Sequence, residues 1–568
     1  MLNGGELNPL QRFMPLLWAA AGGLIYLSFG YTEMAGSDLW WHLAAGREIL
    51  EAGSIWLHDT WSYSAAGQPW NNHEWLADIV YYLWASVFGT YSLVYWKWLV
   101  VIATFLVLQR TLYRECGDQF SSLVMATLAL AIAAPFIDVR PHLYSLLGVS
   151  ILLWMTLGRQ SHVWALAALF LVWANLHGGF VFGLMALAIL VFPWRELNLP
   201  ALYRALRIVL VCTLVCLLNP DGINVFLLPL TYAFDSSSPY RQLGEWLSPF
   251  RPGGIVSPLF FYFMWAPVLA ACYLLPAVRK RTGVPWEGLA LTALTLAMSL
   301  TSRRFIPLFG MSLVVMLAPL MALGCRKLQL DRFSPVLAVL ALLFAIYRLL
   351  PYPLQAPPAF HYLTAEYSYP VDLMNFVEVN GIEGDVYAYY NWGGYLHWRT
   401  GGSLRVFIDG RANTIFDADT YNDYVAVLTS APDWIRRIEN SGAAFVLWPH
   451  FKGSGQQKLH DLLQTGRWRP VYRDSVGWLL SRSTVSLPEQ LVDAPDTPWR
   501  DLKTGQMSAW GGKMGPAIEH GVRVRETMPW NKGACDLLIT ALREEDRQDE
   551  ADAVLHDCRG YFPSNYLE

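Results

Sequence analysis

Acidic and histidine side chains are concentrated in one polar stretch, residues 36–78, directly after the first apolar run of the chain. Tryptophans at positions 40, 41, 56, 61 and 70 surround them, as is typical of membrane interfaces. A carboxylate at the depth of the lipid headgroups can deprotonate an acceptor or bind a metal. The stretch therefore predicts a site at a membrane surface, with Asp38 as its leading acid. Its ionisable residues include Asp38, His42, Asp59, His73 and Glu74.

Similar polar groups occupy short connections between later apolar runs. A guanidinium fork suits a phosphate or diphosphate, so Arg303 and Arg304 are predicted to hold a lipid phosphate. Asp138 and Glu245 are candidates, with Asp38, for binding a divalent cation such as Mg²⁺ or Mn²⁺, and no cation at all is the open alternative. The remaining predicted substrate-binding residues are His42, His73, Arg140, His142 and His177.

Each of these groups also has an ordinary structural explanation. Charged side chains at helix ends extend to the interface or cap helices, and Trp-rich loops often serve only as interface anchors. Charges near a membrane are nevertheless functional candidates, because burying them is expensive. The coincidence of several such groups on one predicted face favours the functional interpretation.

The composition indicates an integral membrane protein. The chain has 568 residues, of which 54% are hydrophobic and only 15% charged, and its mean hydropathy is +0.30. A soluble protein carries about a quarter charged residues. The net charge of −4 gives no basic field for nucleic acid.

Apolar runs predict about eleven transmembrane helices. With a cytoplasmic N-terminus, the connections rich in Arg and Lys fall inside, and the polar segments described above fall outside together with everything after position 350. The runs lie near residues 14–32, 90–113, 120–136, 143–158, 163–177, 179–193, 205–219, 258–277, 286–301, 306–323 and 334–350.

The composition changes after position 350, so three domains are predicted: a transmembrane domain 1–350, an extracytoplasmic α/β domain 351–483, and an irregular segment with a helical tail, 484–568. A Pro-rich linker opens the second domain. Strands are expected at 384–390, 404–409 and 443–450, helices at 420–429 and 431–441, and a Gly-rich tight turn between the first two strands. The tail resembles a helical hairpin or a tetratricopeptide fragment.

The seven cysteines leave one plausible disulfide. Only Cys535 and Cys558 fall on the oxidising side in the predicted topology. No cysteine spacing typical of a metal site occurs.

The layout resembles the GT-C superfamily of membrane glycosyltransferases. That family has an acid in its first outer loop, short amphipathic helices, many spans and an extracytoplasmic C-terminal domain, and Asp38 in SDLWWHLAAGR stands at the place of the acid. The segment VYAYYNWGGYLHWRTGGSLRVFIDGRAN is similar in layout to the acceptor-recognition segment of the oligosaccharyltransferase catalytic subunit. The resemblance implies acceptor-side roles for Tyr390, Asn391, Trp392, Asp409 and Arg411.

The resemblance implies transfer of a sugar or oligosaccharide from a polyprenyl-(di)phosphate donor to a protein, lipid or glycan acceptor. Asp38 would be the general base or metal ligand, assisted by Glu74 or Asp138, and the protein would lie in a bacterial inner membrane with its C-terminal domain in the periplasm. Asn391 replaces the Asp of the family's WWDYG motif, so sequon recognition does not transfer. The alternatives are an envelope lipid transporter or flippase, which would need polar residues along a path through the bundle, and a membrane-anchored assembly protein.

Overall fold

The computed structural model describes residues 9–30, 38–159, 162–228, 244–350, 369–450, 454–529 and 531–561. The first residues of the polar stretch, part of the 219–257 connection and the Pro-rich linker lie outside these ranges. The chain divides into two compact units, one of Met1–Thr32 with Tyr95–Leu350 and one of Glu33–Val94 with Pro351–Glu568. We call them the apolar unit and the mixed unit. The polar stretch, predicted to belong to the transmembrane domain, is instead grouped with the C-terminal residues.

The α-helices of the described residues are α1 Pro9–Phe29, α2 Leu39–Ala52, α3 Trp75–Phe88, α4 Leu93–Cys116, α5 Gln119–Ala133, α6 His142–Thr156, α7 Val163–Leu176, α8 Phe180–Val191, α9 Leu199–Cys216, α10 Pro258–Phe263, α11 Pro276–Thr282, α12 Trp286–Thr301, α13 Ile306–Lys327, α14 Ser334–Leu349, α15 Val371–Val379, α16 Gly393–Thr400, α17 Ala418–Leu428, α18 Trp434–Asn440, α19 Gly455–Gln464, α20 Pro498–Trp510, α21 Met514–Thr527, α22 Lys532–Glu544 and α23 Gln548–Tyr561.

All eleven predicted apolar runs coincide with helices, the eighth being α10 followed by the 3₁₀ helix Ala266–Leu274. By length and composition, five helices of the described ranges suffice to cross a membrane, or six if the bent pair Pro258–Leu274 and Pro276–Thr282 forms one span. The predicted count of eleven spans is therefore not confirmed. Several of the helices are too short. The 12-residue α8, for example, is roughly 18 Å long, whereas the hydrocarbon core of a membrane is about 30 Å thick.

Close helix packing holds the apolar unit together. α1 packs against α14, and α13 packs against both α5 and α12. A Cβ at Gly288 would lie 3.0 Å from the backbone nitrogen of Met316, so α12 and α13 approach each other without an intervening side chain. This packing fixes the ends of α12 and α13, where the polar residues of this unit are found.

The mixed unit contains a five-stranded sheet in the order β4-β3-β5-β7-β6, in which β3 is parallel to β4 and β5, and β7 is antiparallel to β5 and β6. This sheet matches the predicted α/β domain. A separate hairpin of β1 and β2 lies in the polar stretch. The strands are β1 Trp56–His58, β2 Pro69–Asn71, β3 Gly384–Ala388, β4 Leu404–Val406, β5 Phe445–Pro449, β6 Trp468–Arg473 and β7 Gly477–Arg482.

The polar stretch is part of the sheet domain. The amide of Val406 in β4 donates to the carbonyl of Trp61 over 2.9 Å, and Val406 accepts in turn from the amide of Tyr63 over 3.1 Å. These bonds cover the edge strand β4, whose backbone groups would otherwise be unpaired. The pairing explains why residues distant in sequence belong to one unit.

The Gly-rich segment between β3 and β4 is not the tight turn that its glycines predicted. It forms a 3₁₀ turn, Tyr390–Trp392, followed by α16. A Cβ at Gly393 would lie 2.5 Å from the Cβ of Asp409, and one at Gly394 would lie 2.9 Å from the backbone nitrogen of Trp41. These glycines therefore serve close packing of α16 against two neighbours rather than a reversal of the chain.

The segment after residue 484 is not irregular throughout, because α20 and α21 lie within it. Its aliphatic content is low, and Gly505 and Gly521 occupy buried positions where the helices approach closely. With so few aliphatic residues the segment shows no clear hydrophobic periodicity, so its helices were not predicted. α22 and α23 begin 34 residues after α20 and α21 respectively, the period of tetratricopeptide repeats. The predicted disulfide joins Cys535 and Cys558, linking α22 to α23.

Candidate functional site

In the mixed unit, Asp38 stands immediately before α2 and is half-buried. A Cβ at Gly410 would lie 3.1 Å from Asp38 Oδ1 and 3.0 Å from Trp41 Cδ1. Asp38 therefore lies directly against the turn that follows β4. The structure thus brings the predicted catalytic acid beside the segment predicted to face the acceptor.

His42 is braced inside the mixed unit. Its Nδ1 lies 2.5 Å from Asp78 Oδ1, and Asn72 donates from Nδ2 to the other oxygen of Asp78. Only 1% of His42 is exposed. His42 is therefore too buried for the predicted substrate-binding role. Its contact with Asp78 instead joins α2 to α3. His73 Nε2 lies 3.7 Å from Glu74 Oε1, so these two predicted residues are neighbours.

Arg411 is a buried structural cation. Its Nη2 lies 2.7 Å from Asp59 Oδ1 and 2.7 Å from Asp409 Oδ2, and its guanidinium carbon lies 4.1 Å from the centre of the Trp61 ring. Burial acts to lower the pKa of Arg411, but the carboxylates of Asp409 and Asp59 outweigh it and raise the pKa. The acceptor-side role predicted for Asp409 and Arg411 does not fit this burial, since neither is more than 1% exposed.

The other predicted acceptor-side residues differ in access. Trp392 is buried, and a Cβ at Gly477 would lie 2.8 Å from its ring. Tyr390 and Asn391 are half-buried, and the amide of Tyr390 donates to the hydroxyl of Tyr424. Tyr390 and Asn391 thus keep the access that a binding role requires.

Sequence reasoning missed the pair of Glu48 and His397. Glu48 Oε1 accepts from Trp61 Nε1 over 2.7 Å and lies 2.6 Å from His397 Nε2. Burial acts to raise the pKa of Glu48, but the hydrogen bond and charge of His397 outweigh it and lower the pKa. The two residues are 349 positions apart, so no local spacing in the sequence indicates the contact.

In the apolar unit, one carboxylate holds two guanidinium groups. Glu245 Oε1 lies 2.7 Å from Arg304 Nη1, and Glu245 Oε2 lies 3.2 Å from Arg140 Nη1. Burial acts to raise the pKa of Glu245, but the charges of Arg304 and Arg140 outweigh it and lower the pKa to about 2. We call this cluster the arginine pair. Its three side chains remain 28–32% exposed.

Backbone contacts fix the position of this cluster. The amide of Arg304 and the hydroxyl of Ser302 both donate to the carbonyl of Glu245, each over 3.1 Å. The Trp246 ring lies 4.9 Å from the Arg304 guanidinium carbon. Arg304 is therefore held at the start of α13 with part of its guanidinium facing outward.

Arg303 has a different role from its neighbour. It is 1% exposed, and its guanidinium donates to the carbonyls of Leu247, Ser248, Arg251 and Gly253. These bonds secure the loop before α10. The predicted phosphate-binding role therefore does not fit Arg303, because its donors are already used by the backbone.

The two predicted histidines of this unit lie near the arginine pair. His177 Nε2 lies 3.5 Å from Arg304 Nη2, and its Nδ1 lies 2.6 Å from Ser145 Oγ. His142 Nε2 lies 2.7 Å from the carbonyl of Phe136, and its Nδ1 lies 3.7 Å from Asp138. The structure thus brings His177 to the cluster.

The described residues contain no group of three or more His, Cys, Asp or Glu side chains arranged to hold a metal ion. Glu245 is engaged by two guanidinium groups, which leaves its oxygens poorly suited to a cation. The metal stays a prediction from the sequence alone.

No known protein family matches the chain, and no curated protein is similar to it in sequence. Among solved structures, the chain is similar to the crystal structure of ArnT from Cupriavidus metallidurans in the apo state. The identity is 14% and the TM-score 0.44, and the match covers 83% of this chain and 98% of that chain. A likeness of this degree assigns no substrate and no residue role.

Proposed function

We propose that this protein is a membrane glycosyltransferase of the GT-C type, which moves a sugar from a polyprenyl-phosphate donor to an acceptor outside the cytoplasm. The observation that carries this proposal is the arginine pair. Two partly exposed guanidinium groups stand just before the apolar helices α6 and α13, and Glu245 orients both of them. Charges at such positions are costly to bury, which makes them candidates for a functional site.

The charge of the cluster suits a phosphate. Two guanidinium groups and one carboxylate leave a net charge of +1, and the lowered pKa of Glu245 keeps this balance at neutral pH. Guanidinium donors match phosphate oxygens in bidentate geometry. The phosphate of the donor would therefore bind Arg140 and Arg304, with the polyprenyl chain in the membrane.

Asp38 is the proposed general base. It would accept the proton of the acceptor hydroxyl or amide while the acceptor oxygen or nitrogen forms a bond to the anomeric carbon. The bond from that carbon to the phosphate oxygen breaks, and polyprenyl phosphate leaves with the bonding electrons. Tyr390 and Asn391 are the proposed acceptor contacts, and Glu74 the proposed assistant of Asp38. As an alternative to general-base catalysis, Asp38 would hold a divalent cation that activates the acceptor.

The test is donor turnover by the full chain in proteoliposomes. Polyprenyl phosphates carrying different labelled sugars are supplied with membrane extract as acceptor, and transferred label is measured. Arg140→Ala and Arg304→Ala should each raise the KM for the donor by about tenfold or more, since each removes a charge-assisted contact of about 1.5–3 kcal/mol.

Arg195→Ala is the matched control, because Arg195 also pairs with a glutamate, Glu287, over 2.7 Å, yet is largely exposed. That variant should transfer sugar normally. An unchanged donor KM in the Arg140→Ala, Arg304→Ala double variant would remove the phosphate assignment. Movement of intact glycolipid across the vesicle membrane without sugar transfer would show that the protein is a flippase and not a transferase.

A further inference from the structure

We infer that a cavity of the apolar unit binds the headgroup of an anionic phospholipid. The cavity has a volume of about 390 Å³ and lies where α6 ends and α7 begins. It is lined by Trp154, Met155, Arg159, His162 and Ala165. An indole, a thioether and a methyl group provide apolar walls for glycerol and the first acyl carbons, while a guanidinium and an imidazole provide donors for a phosphate.

The positive charge of the cavity comes from Arg159. Its guanidinium carbon lies 4.4 Å from the centre of the Trp154 ring, an arrangement that orients the charge along the cavity wall. A single guanidinium matches the single negative charge of a phosphodiester, the linkage found in phospholipid headgroups.

The neighbouring arginine does not supply this charge. Arg114 donates from Nη1 and Nη2 to the carbonyls of Trp154 and Leu157, over 3.1 and 2.6 Å. Its Nε also lies 3.6 Å from Glu115 Oε1. Arg114 therefore closes the end of α6 and is balanced by an acid, which leaves Arg159 as the available cation of the cavity lining.

The position of the cavity separates it from the arginine pair. α6 has 15 residues and is roughly 22 Å long, with Arg140 just before its first turn and Arg159 just beyond its last. The cavity thus lies at the end of α6 remote from the proposed donor site. That end carries the arginine excess expected of a cytoplasmic face, where anionic lipids bind basic pockets between helices. The inference does not depend on the proposed transferase activity.

The experiment measures lipid retention by the full chain. Delipidated protein in mild detergent is mixed with micelles containing phosphatidylglycerol, and retained lipid per protein is counted by native mass spectrometry. Arg159→Ala should lower phosphatidylglycerol retention about fivefold or more, corresponding to about 1 kcal/mol for one basic side chain at the surface. Ala165→Trp should do the same by filling the cavity while keeping the cation.

Two controls make the result specific. Arg195→Ala removes an exposed arginine at another helix end and should retain phosphatidylglycerol as the unchanged protein does. Phosphatidylcholine should not be retained, and inorganic phosphate should not displace the bound lipid, which distinguishes a lipid headgroup from a free anion.

Equal retention by Arg159→Ala and Arg195→Ala would overturn the inference, as would equal retention of phosphatidylcholine or displacement by inorganic phosphate. If Arg159→Ala unfolds, Ala165→Trp decides the question alone. Loss of lipid retention with sugar transfer intact would leave the two sites independent.

Discussion

At the residue scale, exposure separates the groups that can meet a ligand from those that hold the fold. Asp38, Arg140 and Arg304 are partly exposed, whereas His42 and Arg303 are each 1% exposed. Residue type alone could not make this distinction, because Arg303 and Arg304 are adjacent and chemically identical. What differs is the loop 247–253, whose carbonyls take up the donors of Arg303.

Replacement of Asp38 by Asn should abolish sugar transfer without unfolding the protein. The amide keeps the size of the side chain beside Gly410 but cannot accept the proton of the acceptor. We expect kcat to fall at least about 100-fold, the lower range for a general base. Glu51→Gln is the matched control, since Glu51 is an exposed acid on the adjacent helix α2. Full activity in the Asp38 variant would exclude it from the reaction.

The pH dependence of the arginine pair follows from the lowered pKa of Glu245, which is about 2 in the folded protein. A carboxylate with a lowered pKa stabilises the fold above its unfolded pKa of about 4.3, and this contribution is lost as the pH falls through about 2. The difference in thermal unfolding midpoint between the unchanged protein and Glu245→Gln should therefore stay constant from pH 8 to pH 5. It should shrink below about pH 4.5. A change between pH 7 and pH 6 would contradict the ionised state.

At the element scale, long apolar periods and alternating strands were predictable, whereas packing by small residues was not. The runs that became α4, α5 and α13 and the strands β3 and β5 were all predicted from hydrophobic pattern. α16 was missed because its glycines suggested a tight turn, and α20 was missed because its segment has little apolar periodicity. In both helices the glycines sit at buried contacts, a role that depends on partners remote in the sequence.

Within the described residues the tail helices form two repeats, fewer than the three that such arrays need to be stable alone. The disulfide between Cys535 and Cys558 offsets this deficit by restricting the unfolded chain. Replacing both cysteines by Ser should destabilise the tail by about 2–4 kcal/mol, given their sequence separation of 23. Limited proteolysis of the full chain should then cut within 531–561 markedly faster. Cys272→Ser, at an unpaired cysteine, is the control, and equal cleavage of both variants would contradict the prediction.

At the scale of the whole molecule, the boundary near residue 350 was predictable from composition, but the membership of the first loop was not. Residues 33–94 follow the first apolar run in the sequence, so they were predicted to belong to the transmembrane domain. Their hydrogen bonds to β4 and the burial of Trp61 and Trp70 place them in the mixed unit. Pairing between segments this far apart in the sequence, such as Trp61 with Val406, cannot be predicted from a single sequence.

A fragment of residues 352–568 should therefore be unstable by itself. It lacks Asp59, one of the two carboxylates that pair with the buried Arg411, and it lacks the segment that covers the edge strand β4. Fusing residues 38–90 to its N-terminus through a flexible linker should restore a cooperative thermal transition. Circular dichroism and gel filtration of the two fragments measure the effect. A well-folded 352–568 fragment would show that the loop is dispensable.

The discontinuity of the mixed unit also has a consequence for biosynthesis. Its first segment ends at Val94 and its second begins at Pro351, so the intervening chain must be synthesised and inserted in between. At about 5–20 residues per second, that takes on the order of 10–50 s. During this interval the nascent loop has no β4 edge to pair with. The nascent loop would thus depend on a factor that binds it until β4 has been synthesised, and slowing translation after residue 94 should increase degradation of the nascent chain.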